Sequence, residues 1–183
     1  MAAFSLADIQ KAAGAAVLHQ AGEQFSQVVT DTRKIEPGVL FLALKGERFN
    51  GEDFAREAAE KGAAGVLVSS SCPGEKTAGI EATVFQVPAD TLTAYQQLAL
   101  FWRQRFTLPL IAITGSNGKT TTKDLTAAVL SSRWKVLKTQ ANFNNEIGLP
   151  LTLLQLTDSH QAAVIEIGMR GFHQIEALAK IAL

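Results

Sequence analysis

The chain has 183 residues, 47% hydrophobic and 19% charged, the make-up of an ordinary soluble protein with room for one large domain or two small ones. Lys plus Arg equals Asp plus Glu at 17 each, which excludes a general attraction to nucleic acid or an anionic membrane, so phosphate binding has to be local. No signal peptide is legible in MAAFSLADIQ, the apolar run from Leu108 to Thr114 is too short to span a bilayer, and the single cysteine, Cys72, has no partner in the chain, which fits a reducing cytosol.

In chain order, Ser5 stands before Leu6, Ile9 and Ala13 at helical spacing, with Asp8 placed to complete a capping box. Residues 27–30 read as a strand. After the Pro37-Gly38 turn, 39–44 read as a buried strand. Residues 52–61 predict one helix ended by Gly62, and 66–68 a strand. The Ser, Gly and Pro of 69–79 predict an exposed loop carrying Cys72, and 83–87 another strand. From Asp90 to Phe106 the pattern is helical, with Leu92, Tyr95, Leu98, Ala99 and Trp102 on one face. Residues 110–114 form a continuous apolar run of the kind found inside parallel sheets. Helix over 119–131, strand at 136–137, short helix over 149–156, strand over 162–167 and helix from 172 complete the order. The fold class is α/β: a small N-terminal α/β domain over 1–88, then a parallel-sheet domain over 89–183.

The strongest chemical signal is Thr114-Gly115-Ser116-Asn117-Gly118-Lys119-Thr120-Thr121, between a strand and a helix. Glycine frees the backbone at 115 and 118, successive N–H groups can cradle phosphate oxygens, and the helix tip is positive toward the same anion. Lys119 can reach terminal phosphates and the Thr120 hydroxyl can ligate Mg2+. The general pattern wants another glycine where Ile113 stands. Glu166, near the end of an apolar strand, is costly there unless paired or metal-bound, which makes it a candidate Mg2+ ligand; an edge-facing or salt-bridged glutamate is the alternative. The run from Thr139 to Gly148 holds Asn142, Asn144 and Asn145, amides able to hold phosphate or sugar, or simply to build a turn. His19, His160 and His173 show no metal-ligand spacing and read as surface residues.

These motifs resemble the family of Mur ligases and folylpolyglutamate synthetases. There too the first glycine of the phosphate loop is absent. The run from Asn142 to Thr152, and Thr30-Asp31-Thr32-Arg33-Lys34 followed by Leu40 to Gly51, resemble the branch that adds D-alanyl-D-alanine to a UDP-N-acetylmuramoyl-tripeptide. The resemblance implies an ATP- and Mg2+-dependent, cytoplasmic ligase of peptidoglycan synthesis, acting through an acyl phosphate. It implies that Lys119 and Glu166 are catalytic and that Gly115, Ser116, Asn117, Gly118, Lys119, Thr120 and Thr121 bind ATP. Thr120 and Glu166 would hold the metal. Thr32, Arg33, Lys45, Gly46, Arg48, Asn50 and Gly51 would line a UDP site, with Asn142 and Asn145 near substrate. It implies a monomer much longer than this chain, whose central domain would be cut short here. The chain alone is then expected not to turn over, and its open sheet edge to favour self-association. Another ligase of the family, a bare nucleotide-binding module and a P-loop kinase are the alternatives; a kinase should show a phosphate-acceptor site, and none is legible.

Overall fold

The computed structural model describes residues 2–46 and 49–182. The chain divides into two compact units, Met1–Leu98 and Ala99–Leu183. The division falls inside the helix over 91–103.

The first unit opens with β1 (Phe4–Ser5) and α1 (Leu6–Ala13). The capping box forms: the Asp8 amide donates to Ser5 Oγ at 3.1 Å and the Ser5 amide to Asp8 Oδ2 at 2.9 Å. Then follow β2 (Ala16–His19), β3 (Gln24–Phe25), β4 (Val28–Val29), β5 (Leu40–Leu42), α2 (Ala55–Glu60), β6 (Gly65–Ser69) and β7 (Thr83–Val87). β4, β5, β6 and β7 are parallel neighbours, and β2 closes one side antiparallel to β7. β1 pairs with β3 apart from that sheet. Val29, Phe41, Val66, Val68 and Val84 pack with Ala55 and Ala58 of α2 into one buried cluster.

The segment expected to be one helix over 52–61 is a 3-10 turn, Gly51–Phe54, followed by α2. Asn50 causes the tighter start: its side chain accepts from the Glu52 amide at 3.1 Å and its carbonyl from the Asp53 amide at 3.0 Å. The segment expected to be an exposed loop over 69–79 contains a 3-10 turn, Gly74–Lys76, and buries Cys72.

α3 (Thr91–Arg103) spans the division between units. Asp90 caps it, accepting from the Thr93 amide at 2.8 Å, and Tyr95, Leu98, Ala99 and Trp102 are its buried face. The second unit continues with β8 (Leu110–Ile113), α4 (Lys119–Ser131), β9 (Val136–Lys138), α5 (Gly148–Leu153), β10 (Ala162–Glu166) and α6 (Gln174–Ala182). The sheet is parallel in the order β8-β10-β9. β10 is buried throughout, because it is central. Among the described strands β8 lies at the sheet's edge, with Ile111 and Ala112 exposed. None of the described helices is long and apolar enough to cross a membrane.

Candidate functional site

The phosphate loop sits where β8 ends and α4 begins. Gly115 and Gly118 have φ of 146° and 75°, a region side chains resist. Gly118 stands at the α4 N-cap and offers no side-chain cap. Among the described residues, no hydrogen bond engages the backbone N–H groups of residues 115–121; the first such donor is Thr122, to the Gly118 carbonyl at 2.9 Å. A run of unengaged amides at a helix tip is an anion site in waiting. Lys119 folds back over the loop, donating from Nζ to the Gly115 carbonyl at 2.7 Å. An incoming phosphate can replace that carbonyl as a stronger, charged acceptor.

Glu166 lies beneath this loop, 2% exposed. It is held by hydrogen bonds. Thr120 Oγ1 donates to Oε2 at 2.9 Å, Asn144 Nδ2 donates to Oε1 at 2.7 Å, and the Glu166 amide donates to Thr139 Oγ1 at 2.9 Å. The Thr139 carbonyl accepts from Lys123 Nζ at 2.9 Å, with Lys123 itself 3% exposed one turn beyond Lys119. Among the described residues, no ion pair to Glu166 forms, and at 2% exposure it does not face outward. A carboxylate and a hydroxyl converge instead.

That donor set fits a small hard cation. Among the described residues there is no group of three or more His, Cys, Asp or Glu able to enclose a metal. One carboxylate and one hydroxyl beside a phosphate cradle is the sparse arrangement Mg2+ accepts, since it keeps waters and takes phosphate oxygens.

The asparagine-rich segment divides its labour. Asn145 Oδ1 accepts from the Gly148 amide at 2.8 Å and the Ile147 amide at 3.2 Å, and so starts α5. Asn142 is exposed; its carbonyl accepts from the Asn144 amide at 2.8 Å. A cleft of about 220 Å³ is lined by Lys119, Asn144, Asn145, Glu146, Gly168 and Arg170, among others, and Asn142 is not on its wall. The sequence places Asn142 and Asn145 near phosphate or substrate; the side chain that reaches Glu166 is Asn144. Lys123 and Thr139 were also missed, because a buried lysine reads in sequence as one more polar helix residue.

In the first unit, Lys45 and Asn50 form an antiparallel bridge and line a larger cleft, about 560 Å³, with Glu52, Ser69, Ser71 and Lys76. Glu52 is 7% exposed and accepts from the Ser69 amide at 3.0 Å and Ser69 Oγ at 2.6 Å. Gly51 is fixed by close approach: a Cβ there would lie 2.5 Å from the Leu44 carbonyl oxygen. Gly46 donates to the Phe49 carbonyl at 2.8 Å. Thr32 and Arg33 are not on this cleft's wall. Arg33 pairs with Asp31 instead, at 2.7 Å and 2.9 Å, and the guanidinium pulls the Asp31 carboxyl down to about 2. Arg48 lies outside the described residues. His160 departs from the surface reading: its Nδ1 accepts from the Thr157 amide at 3.1 Å, and burial, then the Lys135 charge, lowers its pKa.

A parallel-sheet unit with a strand-to-helix phosphate loop and a buried acidic side chain at the neighbouring strand end defines a P-loop nucleotide-binding class. The sequence matches the models "Mur ligase family, catalytic domain" over residues 24–103 and "Mur ligase middle domain" over residues 113–183. The chain belongs to the Mur ligase family. It is similar to the UDP-N-acetylmuramoyl-tripeptide--D-alanyl-D-alanine ligases of Synechocystis sp., 51% identical over 87% of this chain and 34% of the relative, and of Bacillus subtilis, 47% identical over 85% and 33%. The chain therefore spans about a third of the length of the curated relatives it matches. Among solved structures it resembles MurF from Acinetobacter baumannii, with a TM-score of 0.90 and 34% identity over 98% of this chain and 39% of that one. It also resembles MurF ligase from Thermotoga maritima in complex with ADP, with a TM-score of 0.75 and 31% identity over 85% and 35%.

Proposed function

We propose that this chain carries the phosphate-binding and UDP-substrate-binding parts of an ATP-dependent ligase that joins D-alanyl-D-alanine to UDP-N-acetylmuramoyl-tripeptide in the cytoplasm. The observation that carries the reading is the 2.9 Å contact between Thr120 and Glu166 under a loop of unengaged amides. Residues 1–88 hold the UDP end, where Lys45 and Asn50 already share a cleft. Residues 89–183 begin the ATP-binding domain. The amides of 115–121 bind the phosphates, and Lys119 turns from the Gly115 carbonyl to the terminal phosphate. Thr120 and Glu166 would hold Mg2+, which would supply positive charge beside the phosphates. The peptide carboxylate takes that group to become an acyl phosphate with release of ADP. The amine of D-alanyl-D-alanine then attacks the acyl carbon, and phosphate leaves.

Thermal melting with ligands tests the assignment. A ligand that binds only the folded chain adds about 2.7 kcal/mol of stability at 100 times its Kd. Mg-ADP and the UDP-linked tripeptide should each raise the melting temperature, and Lys119→Ala should remove only the first response. Stabilisation by nucleotide with none by the UDP-linked peptide would instead favour a bare nucleotide module.

A further inference from the structure

The geometry points to Asn144 as a positioning residue for the Glu166 carboxylate, setting the plane in which that carboxylate meets a divalent cation. This rests on the nucleotide-binding reading above. A carboxylate turns easily about its last side-chain bond, whose preference is broad. Here one donor sits on each oxygen, Asn144 Nδ2 on Oε1 at 2.7 Å and Thr120 Oγ1 on Oε2 at 2.9 Å. A carboxylate has about four lone-pair sites. Two donors therefore fix its plane and leave a lone pair on each oxygen for a cation.

Asn144 is itself held on three sides. Its amide donates to the Asn142 carbonyl at 2.8 Å, and its carbonyl accepts from the Gly168 amide at 2.8 Å. A Cβ at Gly168 would lie 3.0–3.1 Å from the Asn144 Cγ, Nδ2 and Oδ1 atoms. The strand that carries Glu166 thus leads, two residues on, into the glycine that seats its partner. Asn145, by contrast, has its side-chain oxygen engaged at the start of α5. The orientation of the Asn144 amide follows from chemistry, because an amide oxygen turned to a carboxylate would set acceptor against acceptor.

The test uses Mn2+ as the probe, with free Mn2+ read by electron paramagnetic resonance in the presence of ADP. Calorimetry with ADP and EDTA measures nucleotide affinity without metal. Loss of an outer-shell partner typically weakens metal binding by about 10–100-fold. Asn144→Ala should show a loss in that range for Mn2+, with metal-free ADP affinity within about twofold of the parent. Asn144→Ser, which keeps a donor, should recover part of it. Gly168→Ala, which displaces the amide without removing it, should move Mn2+ affinity in the same direction and serves where Asn144→Ala fails to fold. Equal Mn2+ affinity in the parent and the folded variants would overturn the proposal. So would a parallel fall in metal-free ADP binding, which would mark a purely structural role. No Mn2+ binding by the parent beyond that of ADP alone, while metal-free ADP still binds, would overturn the proposal; absence of ADP binding as well would defeat the nucleotide reading itself, a separate failure.

Discussion

At Cys72 the side chain is 9% exposed, and burial, followed by the nearby Glu52 carboxylate, pushes the thiol up to about 11. The thiolate is the reactive form. At pH 8 the folded chain should therefore react with iodoacetamide about 100-fold more slowly than the urea-unfolded chain, whose thiol has an ordinary value. Comparable rates in the two states would show that Cys72 is accessible after all. Gly148 poses a different constraint. A Cβ there would lie 2.3 Å from Phe143 Cα, a backbone atom that cannot swing aside. Gly148→Ala should cost about 1–3 kcal/mol by overpacking, read as a fall in urea midpoint. Gly171→Ala meets nothing within 4 Å and should stay within about 0.5 kcal/mol.

Among elements, the turn that follows β2 is tied to one hydroxyl in β7. Thr83 Oγ1 accepts from the Ala21 amide at 3.0 Å and the Gly22 amide at 2.9 Å, and it donates to the Gly22 carbonyl at 2.9 Å. Thr83 is fully buried. Thr83→Val keeps the shape and removes these bonds, and should cost about 1–3 kcal/mol. Hydrogen exchange should quicken at residues 16–22 while β5 and β6 stay protected; unchanged exchange there would show that β2 holds without Thr83. β2 was illegible because its residues are largely exposed, so no buried alternation marks it, and its pairing partner β7 lies far along the chain. Elements with a local cause were legible. Ser5 and Asp8 cap α1, Asp90 caps α3, and α4 spans Lys119–Ser131 as its loop and periodicity imply. In the candidate site, the loop glycines, Lys119, Thr120 and Glu166 carry their chemistry in their spacing. Asn144 could not be separated from Asn142 and Asn145, because which of three amides meets a strand end depends on how the loop returns to β10.

For the whole chain, opposed titrations shape stability against pH. Asp31, drawn to about 2 by Arg33, has a folded pKa below its ordinary value, as do Asp90 through the Thr93 amide and Asp124 through Lys138. A depressed carboxylate contributes stability above its unfolded pKa and loses it as pH falls toward the folded one. His160 obeys the same sign at higher pH. Burial, then the Lys135 charge, hold its folded pKa below 6.5, so folding favours the neutral ring, and protonation would cost Nδ1 its acceptor role toward the Thr157 amide. Stability should therefore begin to fall just below pH 6.5, before the carboxylates respond. Cys72 and Tyr95 are raised by burial, so their contribution is present below their ordinary values and is lost as pH rises past about 9. Exposed pairs such as Arg33–Asp31 add little each, and the buried groups should dominate. The urea midpoint should run level from about pH 7 to 9 and decline on both sides. His160→Gln should remove the first acid step and leave the drop below pH 4 in place. A midpoint that keeps the parent's slope between pH 6.5 and 5 in that variant would mean that another group governs the step.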